Sequence, residues 1–299
     1  MRKYLFALMS LLLVAAIGLT GCGGGADLGT EDNPIVWAFV PSGETQTVVT
    51  GAEEISALLT EETGLYFDVL VTTEYAGAVE AMCADPAEAQ MGSLNTFSYI
   101  LANERCGVET ELVAVRYGSP TYNGQIIANV DSGIQALEDL DGATFCRPDP
   151  LSTSGWIIPM LTMRAAGIDT ASDIEVVDAG SHDAVVAAVY SGDCDAGATF
   201  VDARGNIEED SPDVMEVVQV IETTADIPND GVQFIPGMDE ELKSQIVDAL
   251  VAISETEEGK EALDTAYSWA GLEQHGDDFY DPFRQVLEAS GMSIQDLQE

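Results

Sequence analysis

From Asn33 onward the chain alternates short apolar runs with stretches whose apolar residues recur at helical spacing. "IVWAFV" reads as a buried strand ending at "PSGE", and "TQTVVTGAEEISALLTEETG" as a helix. "YFDVLVTT" is the next strand, "AGAVEAMCA" a helix, "AEAQMGSL" a short strand, "TFSYILANER" a helix and "TELVAVRYG" a strand. Strands alternating with helices predict parallel sheets and an α/β fold.

A second set follows. "NGQIIANV" is a strand and "SGIQALEDL" a short helix capped by Ser132. "GATFCRP" is a strand, and "SGWIIPMLTMRAAG" a helix closed by Gly167. Then come "DIEVVDAG", "CDAGATFV" and "VMEVVQVIE" as strands, with the helix "SHDAVVAAVYSG" after the first of them. Three helices close the chain, more than the second set needs. The pattern therefore predicts two α/β lobes, residues 34–117 plus 225–299 and residues 118–224, crossed near Tyr117 and Thr224. Ligands of such sheets sit beyond the carboxyl ends of the strands. Here those ends are "VPSGE", "TTEY", "RPDPLSTSG", "DAGSHD" and "TFVDAR", rich in polar and aromatic residues as a small-molecule cleft would be.

The N-terminus has a different pattern. Arg2 and Lys3 precede the apolar run "YLFALMSLLLVAAIGL", and "LTGC" sets small residues before Cys22. This resembles a bacterial lipoprotein signal. Residues 1–21 would be removed, Cys22 lipidated, and residues 22–33 left as a flexible tether. Two acyl signals hold a protein stably at a membrane surface. The alternative is a plain transmembrane anchor. On the lipoprotein reading the folded part is expected outside the cytoplasm.

That location bears on the cysteines. The four beyond Cys22 are an even number in an exported chain, and are read as disulfides Cys83–Cys106 and Cys146–Cys194. Four buried thiols are the alternative. No metal is expected, since no pair has C-x-x-C spacing and only His182 and His275 exist. Asp plus Glu number 53 against 10 Lys plus Arg, a formal charge of -43. Nucleic acid and anionic membrane surfaces are poor partners for that charge. A salty medium would relieve the self-repulsion.

Against this charge, "DPLSTSG" looks prepared for an anion. Ser152, Thr153 and Ser154 stand between a strand and a helix, where unpaired N–H groups and a partial positive charge gather. Gly155 would let a ligand approach the backbone. The bland reading is a single N-cap hydroxyl with solvent-facing neighbours. His182 in "SHD" begins the next helix, and Tyr75 and Tyr122 stand at strand ends. Enzyme signatures are missing: there is no G-x-S-x-G, H-E-x-x-H or dinucleotide glycine fingerprint.

"FVPSGE", "TTEYAGAVEAM", "FSYILANERCG", "SPTYNGQIIA", "DPLSTSG", "GSHDAVVAAV" and "IPNDG" follow one another in an order that resembles the solute-binding proteins of phosphonate, phosphite and phosphate ABC importers. The similarity runs from about Ile35 to about Leu250. It implies a type II periplasmic binding protein, with two α/β lobes closing on a ligand by a hinge. It places Ser152, Thr153, Ser154 and His182 on the oxyanion, and Tyr75 and Tyr122 in the pocket. In relatives that take aminoalkylphosphonates, two carboxylates hold the ammonium. Their positions match Asp202 and Asp230, where many relatives have Glu at the first. Asn95-Thr96 also departs from the Gly-Pro common before the "FSY" helix.

The resemblance implies a non-enzymatic, monomeric receptor without cofactor, delivering a small phosphorus oxyanion to an ABC permease and its ATPase. A sulfonate or vitamin-precursor receptor and a ligand-sensing subunit are the alternative readings.

Overall fold

In the computed structural model, which describes residues 27–294 and 296–298, the two sets of elements form two separate sheets. The first set is β1 (Ile35–Phe39), α1 (Thr45–Thr63), β2 (Phe67–Val71), α2 (Tyr75–Cys83), β3 (Met91–Leu94), α3 (Thr96–Cys106) and β4 (Glu109–Val115). The second is β5 (Thr121–Asn129), β6 (Thr144–Arg147), α4 (Ile158–Ala165), β7 (Glu175–Asp178), α5 (His182–Ser191), β8 (Ala196–Phe200), α6 (Val214–Val217) and β9 (Val218–Pro228). The chain then adds β10 (Gly231–Phe234), α7 (Glu240–Ser254), α8 (Glu257–Tyr267), β11 (Gly271–Gln274) and α9 (Asp281–Ser290).

The first sheet has the order β11-β4-β10-β3-β1-β2, and the second β7-β6-β8-β5-β9. The chain passes between them twice, at residues 116–120 and 229–230. β9 runs through Thr224 without a break and pairs with β5 as far as Pro228. The two passages touch: Asn229 N–H donates to the Pro120 carbonyl at 2.8 Å, and Ala114 N–H to the Asp230 carbonyl at 2.8 Å.

Both sheets are mixed, where the alternation of elements predicts parallel ones. β1, β2 and β3 are parallel, but β10 pairs antiparallel with β3 and β4. The reason is connectivity. β10 enters from the other sheet through a two-residue passage, not through the crossover helix that parallel pairing requires. Likewise β5 runs antiparallel to β8 and β9. β10 and β11 are four residues each and carry too little pattern to be read as strands. "SGIQALEDL" is not one helix but part of two 3-10 turns, Val130–Ser132 and Leu137–Asp139, separated at Gly133 in the left-handed region. The first residues of "VMEVVQVIE" are the helical turn α6, and the strand begins at Val218.

α1 shows how the first lobe is held. Val48, Ala52, Ile55 and Leu59 form one buried stripe, and each fully buried large aliphatic stabilises by about 1.5–3 kcal/mol. The Glu44 carboxylate caps its start by accepting from Thr47 N–H, and Gly64 at φ 73° ends it. A Cβ on Gly51 would lie 2.4 Å from Ala266 N, so this glycine lets α1 sit directly on α8. The C-terminal helices thus complete the first lobe.

Both disulfides join elements within one sheet's layer. Cys83 at the end of α2 bonds Cys106 at the end of α3, with Cα atoms 5.5 Å apart. Cys146 on β6 bonds Cys194, just before β8, at 5.9 Å. Cys22 and the signal segment lie outside the described residues. Among the described residues, no helix is long and apolar enough to cross a membrane.

Candidate functional site

Strand register brings the site together. Phe39 lies opposite Val71 and Ser93 across parallel pairs, so β1, β2 and β3 end at one edge. Val40–Ser42, Tyr75 and Asn95 follow from that edge. In the second sheet Arg147 lies opposite Asp178, so the segments leading to Ser152–Ser154 and to His182 emerge together. The two edges face one another around a small cavity lined by Tyr75, Tyr122, Ser152, Thr153, Ser154, His182 and Asp230.

Thr153–Ile157 forms one turn of π-helix leading into α4. Ser152 is its N-cap, accepting from Gly155 N–H at 3.2 Å, and lies 3.4 Å from His182 Nε2. The Thr153 hydroxyl accepts from Asn95 Nδ2 at 2.8 Å and from Phe97 N–H at 2.9 Å. A hydroxyl has two lone pairs and one proton. With both lone pairs engaged, Thr153 is left to donate. Gly155 serves internal packing: a Cβ there would meet Pro148 at 2.4 Å and Ser152 Oγ at 2.8 Å.

His182 is the first residue of α5, 4% exposed, with its ring edge against Phe200. Burial, and next to it the Arg116 charge, push its imidazole down to about 3. It is therefore neutral near pH 7 and offers one N–H. Its Nδ1 has no hydrogen-bond partner, and neither has the Tyr75 hydroxyl, Arg116 Nε or Asn95 Oδ1. All four atoms are buried on residues of the cavity wall. Burial, and then the Asp149 charge, raise the Tyr75 phenol well above its ordinary value, so it stays protonated. A buried donor without a partner costs about 1–3 kcal/mol, and Asn95 Oδ1 is an unpartnered acceptor in the same wall.

Two residues differ from expectation. Asp202 does not reach the cavity wall. Its carboxylate accepts from Arg204 Nε at 2.9 Å and Nη2 at 2.6 Å, and from Gln125 Nε2 at 3.0 Å. Asp230 does line the cavity, but its carboxylate is held by Arg116 Nη2 at 2.9 Å. Burial pushes the Asp230 carboxyl up, and the guanidinium opposes that. Arg147, beside the serine run, faces elsewhere, packing over the Trp156 ring at 4.5 Å.

Hydrogen bonds close the cavity from side to side. The Asp149 carboxylate accepts from Tyr75 N–H at 3.0 Å, at the first turn of α2, and from Leu151 N–H at 2.7 Å. Asn95 Nδ2 also donates to the Leu151 carbonyl at 2.8 Å. His182 N–H donates to the Ser42 carbonyl at 3.1 Å, and Thr96 Oγ1 to the Pro228 carbonyl at 2.6 Å. All but the Leu151 N–H bond, which lies within the loop before the serine run, link elements of different sheets.

Residues 37–280 match the family model of the phosphonate ABC transporter periplasmic substrate-binding protein. The chain belongs to that family. It is 29% identical over 177 residues to the phosphate-import protein PhnD of Mycolicibacterium smegmatis, covering 56% of this chain and 54% of that one. It is 26% identical over 229 residues to the phosphonates-binding periplasmic protein of Escherichia coli, covering 75% and 67%. The chain thus matches about half to two thirds of the length of these curated relatives. A binding protein component of an ABC phosphonate transporter from Pseudomonas aeruginosa shares the fold, with TM-score 0.78 over 86% of each chain at 22% identity.

For this phosphonate-binding family member, sequence reasoning missed Arg116, Asn95, Asp149 and Ser42. Arg116 had a signal: it is one of few cations in the chain and ends the apolar run "ELVAV". A charge at that place is either solvated or paired inside. Nothing in the sequence chose between these, nor named Asp230 as its partner.

Proposed function

We propose that this protein is the extracytoplasmic receptor of an ABC importer, capturing a small phosphorus oxyanion between its lobes. Phosphonate, phosphite and phosphate share the chemistry the cavity suits: a compact anion with several accepting oxygens. The observation that carries the reading is the set of buried polar groups on residues lining one cavity: the Tyr75 hydroxyl and the His182 ring, each with an unpartnered atom, and the Thr153 hydroxyl with its proton free to donate, with Ser152 and Ser154 beside them. Neutral donors at contact distance serve an anion here while the outer carboxylates are screened by salt.

The lobes are residues 27–117 with 229–299, and 118–228, because β9 stays paired with β5 as far as Pro228, and the two passages between the sheets are the hinge. A ligand that touches both lobes stabilises the closed form; one that touches a single lobe shifts nothing. A lipidated Cys22 keeps the receptor at the membrane beside its permease. The expected tether does not extend to residue 33: Tyr66 N–H donates to the Gly29 carbonyl at 2.9 Å and Leu28 packs on the core, so residues 27–33 belong to the folded part. It acts as a monomer and performs no chemistry on its cargo.

Calorimetry on the purified protein with methylphosphonate, phosphite and phosphate tests the reading. At least one is expected to bind with a 1:1 stoichiometry. Failure of all three, and of larger phosphonates, would overturn it.

A further inference from the structure

Arg116 is 6% exposed and lines the same cavity as the serine run. It leaves β4 in the first passage between the sheets, whereas Asp230 belongs to the second. Their 2.9 Å ion pair therefore joins the two passages at the cavity floor. The guanidinium is fixed further by two rings of the second sheet. Its central carbon lies 5.4 Å from the Tyr122 ring centre and 5.5 Å from that of Phe200.

Among the described residues, Asp230 is the one carboxylate lining this cavity, and Arg116 the one cation. An ammonium-bearing ligand needs an unpaired carboxylate, and this one is taken. The arginine cannot yield by losing its proton, since a guanidinium stays charged in proteins. Nor can it swing aside without leaving a buried charge unpaired. A second cation beside it would meet unscreened repulsion at short range. The same guanidinium favours an anion, because its buried Nε has no partner and can donate.

We infer that Arg116, by pairing with Asp230 inside the cavity, makes the site selective for phosphorus oxyanions whose tail carries no ammonium group. The inference rests on the receptor function proposed above. It gives Arg116 a direct part in specificity and makes Asp230 the residue that positions it.

The test is a competition titration of the wild-type protein with 2-aminoethylphosphonate and propylphosphonate. These differ in an ammonium against a methyl of similar size. The aminophosphonate is expected to bind at least tenfold more weakly, with methylphosphonate also binding. R116A is expected to lose affinity for methylphosphonate and to reverse the order of the isosteric pair. Because R116A leaves Asp230 unpaired and can unfold, D230N is the second variant. It keeps the cation and is expected to go on excluding the aminophosphonate. If methylphosphonate binds and 2-aminoethylphosphonate binds as tightly as propylphosphonate, only this inference falls. Equal exclusion of the isosteres in wild type and R116A assigns the selectivity to size and overturns it as well. If no phosphorus oxyanion binds, the receptor function falls and takes the inference with it.

Discussion

Asn95 Nδ2 lies 2.8 Å from the Thr153 hydroxyl oxygen, linking the start of α3 in one sheet layer to the serine run of the other. The same amide reaches the Leu151 carbonyl at 2.8 Å. Both bonds cross from one sheet's layer to the other, and one of them holds a hydroxyl of the proposed ligand site.

Replacing Asn95 with Ala is expected to raise the dissociation constant of the bound oxyanion. Two bonds at about 0.5–1.5 kcal/mol each give a loss of about 1–3 kcal/mol. Small-angle scattering is expected to show a more open ligand-free population. An unchanged dissociation constant would remove Asn95 from the closure mechanism.

Ser154 is 2% exposed and lines the cavity at the second sheet's edge. Ser154→Ala is expected to cost about 1–3 kcal/mol of phosphorus-oxyanion affinity, the worth of a hydrogen bond to a charged oxygen. Calorimetry reads this directly. Melting of the ligand-free protein is expected to change little.

His182 links stability to pH. Its folded value is pushed down to about 3 from 6.5. Between those values the unfolded chain binds more protons than the folded one, so stability falls as pH drops from 6.5 towards 3. His182→Gln removes this contribution. The slope of unfolding free energy against pH, measured by urea titration, is expected to flatten by up to about one proton relative to wild type. Identical slopes would mean that the imidazole is not held neutral. Carboxylates titrate in both proteins and cancel in the difference.

The disulfides are expected to act on stability alone. Loops of 23 and 48 residues give about 3–4 kcal/mol each on the chain-entropy account. Cys146→Ser with Cys194→Ser is expected to lower the urea midpoint while leaving oxyanion affinity within about twofold. Each bond lies within one sheet's layer, so neither resists lobe closure.

The alternation of elements was legible because burying a strand between helices leaves an apolar run, and burying one helix face leaves a 3.6-residue period. Strand direction was not, because direction depends on which sheet the chain comes from, as β10 shows. The even number of cysteines and the export signal pointed to disulfides, but four cysteines allow three pairings, and the fold brings Cys83 to Cys106 and Cys146 to Cys194. Tyr75, Tyr122, Ser152–Ser154, His182 and Asp230 stand in segments whose order already resembled the family, and the structure sets them around one cavity.

The sequence by itself determined an α/β chain resembling the phosphonate-binding family, with a run of hydroxyls after β6, because those features are read from local order along the chain. Tertiary structure alone decided what each polar side chain meets. It turned Thr153 towards Asn95, drew Asp202 to Arg204, and set Arg116 on Asp230 across 114 residues. The physical reason is that a buried charge must find its partner in space, and spacing along the chain does not record which partner that is.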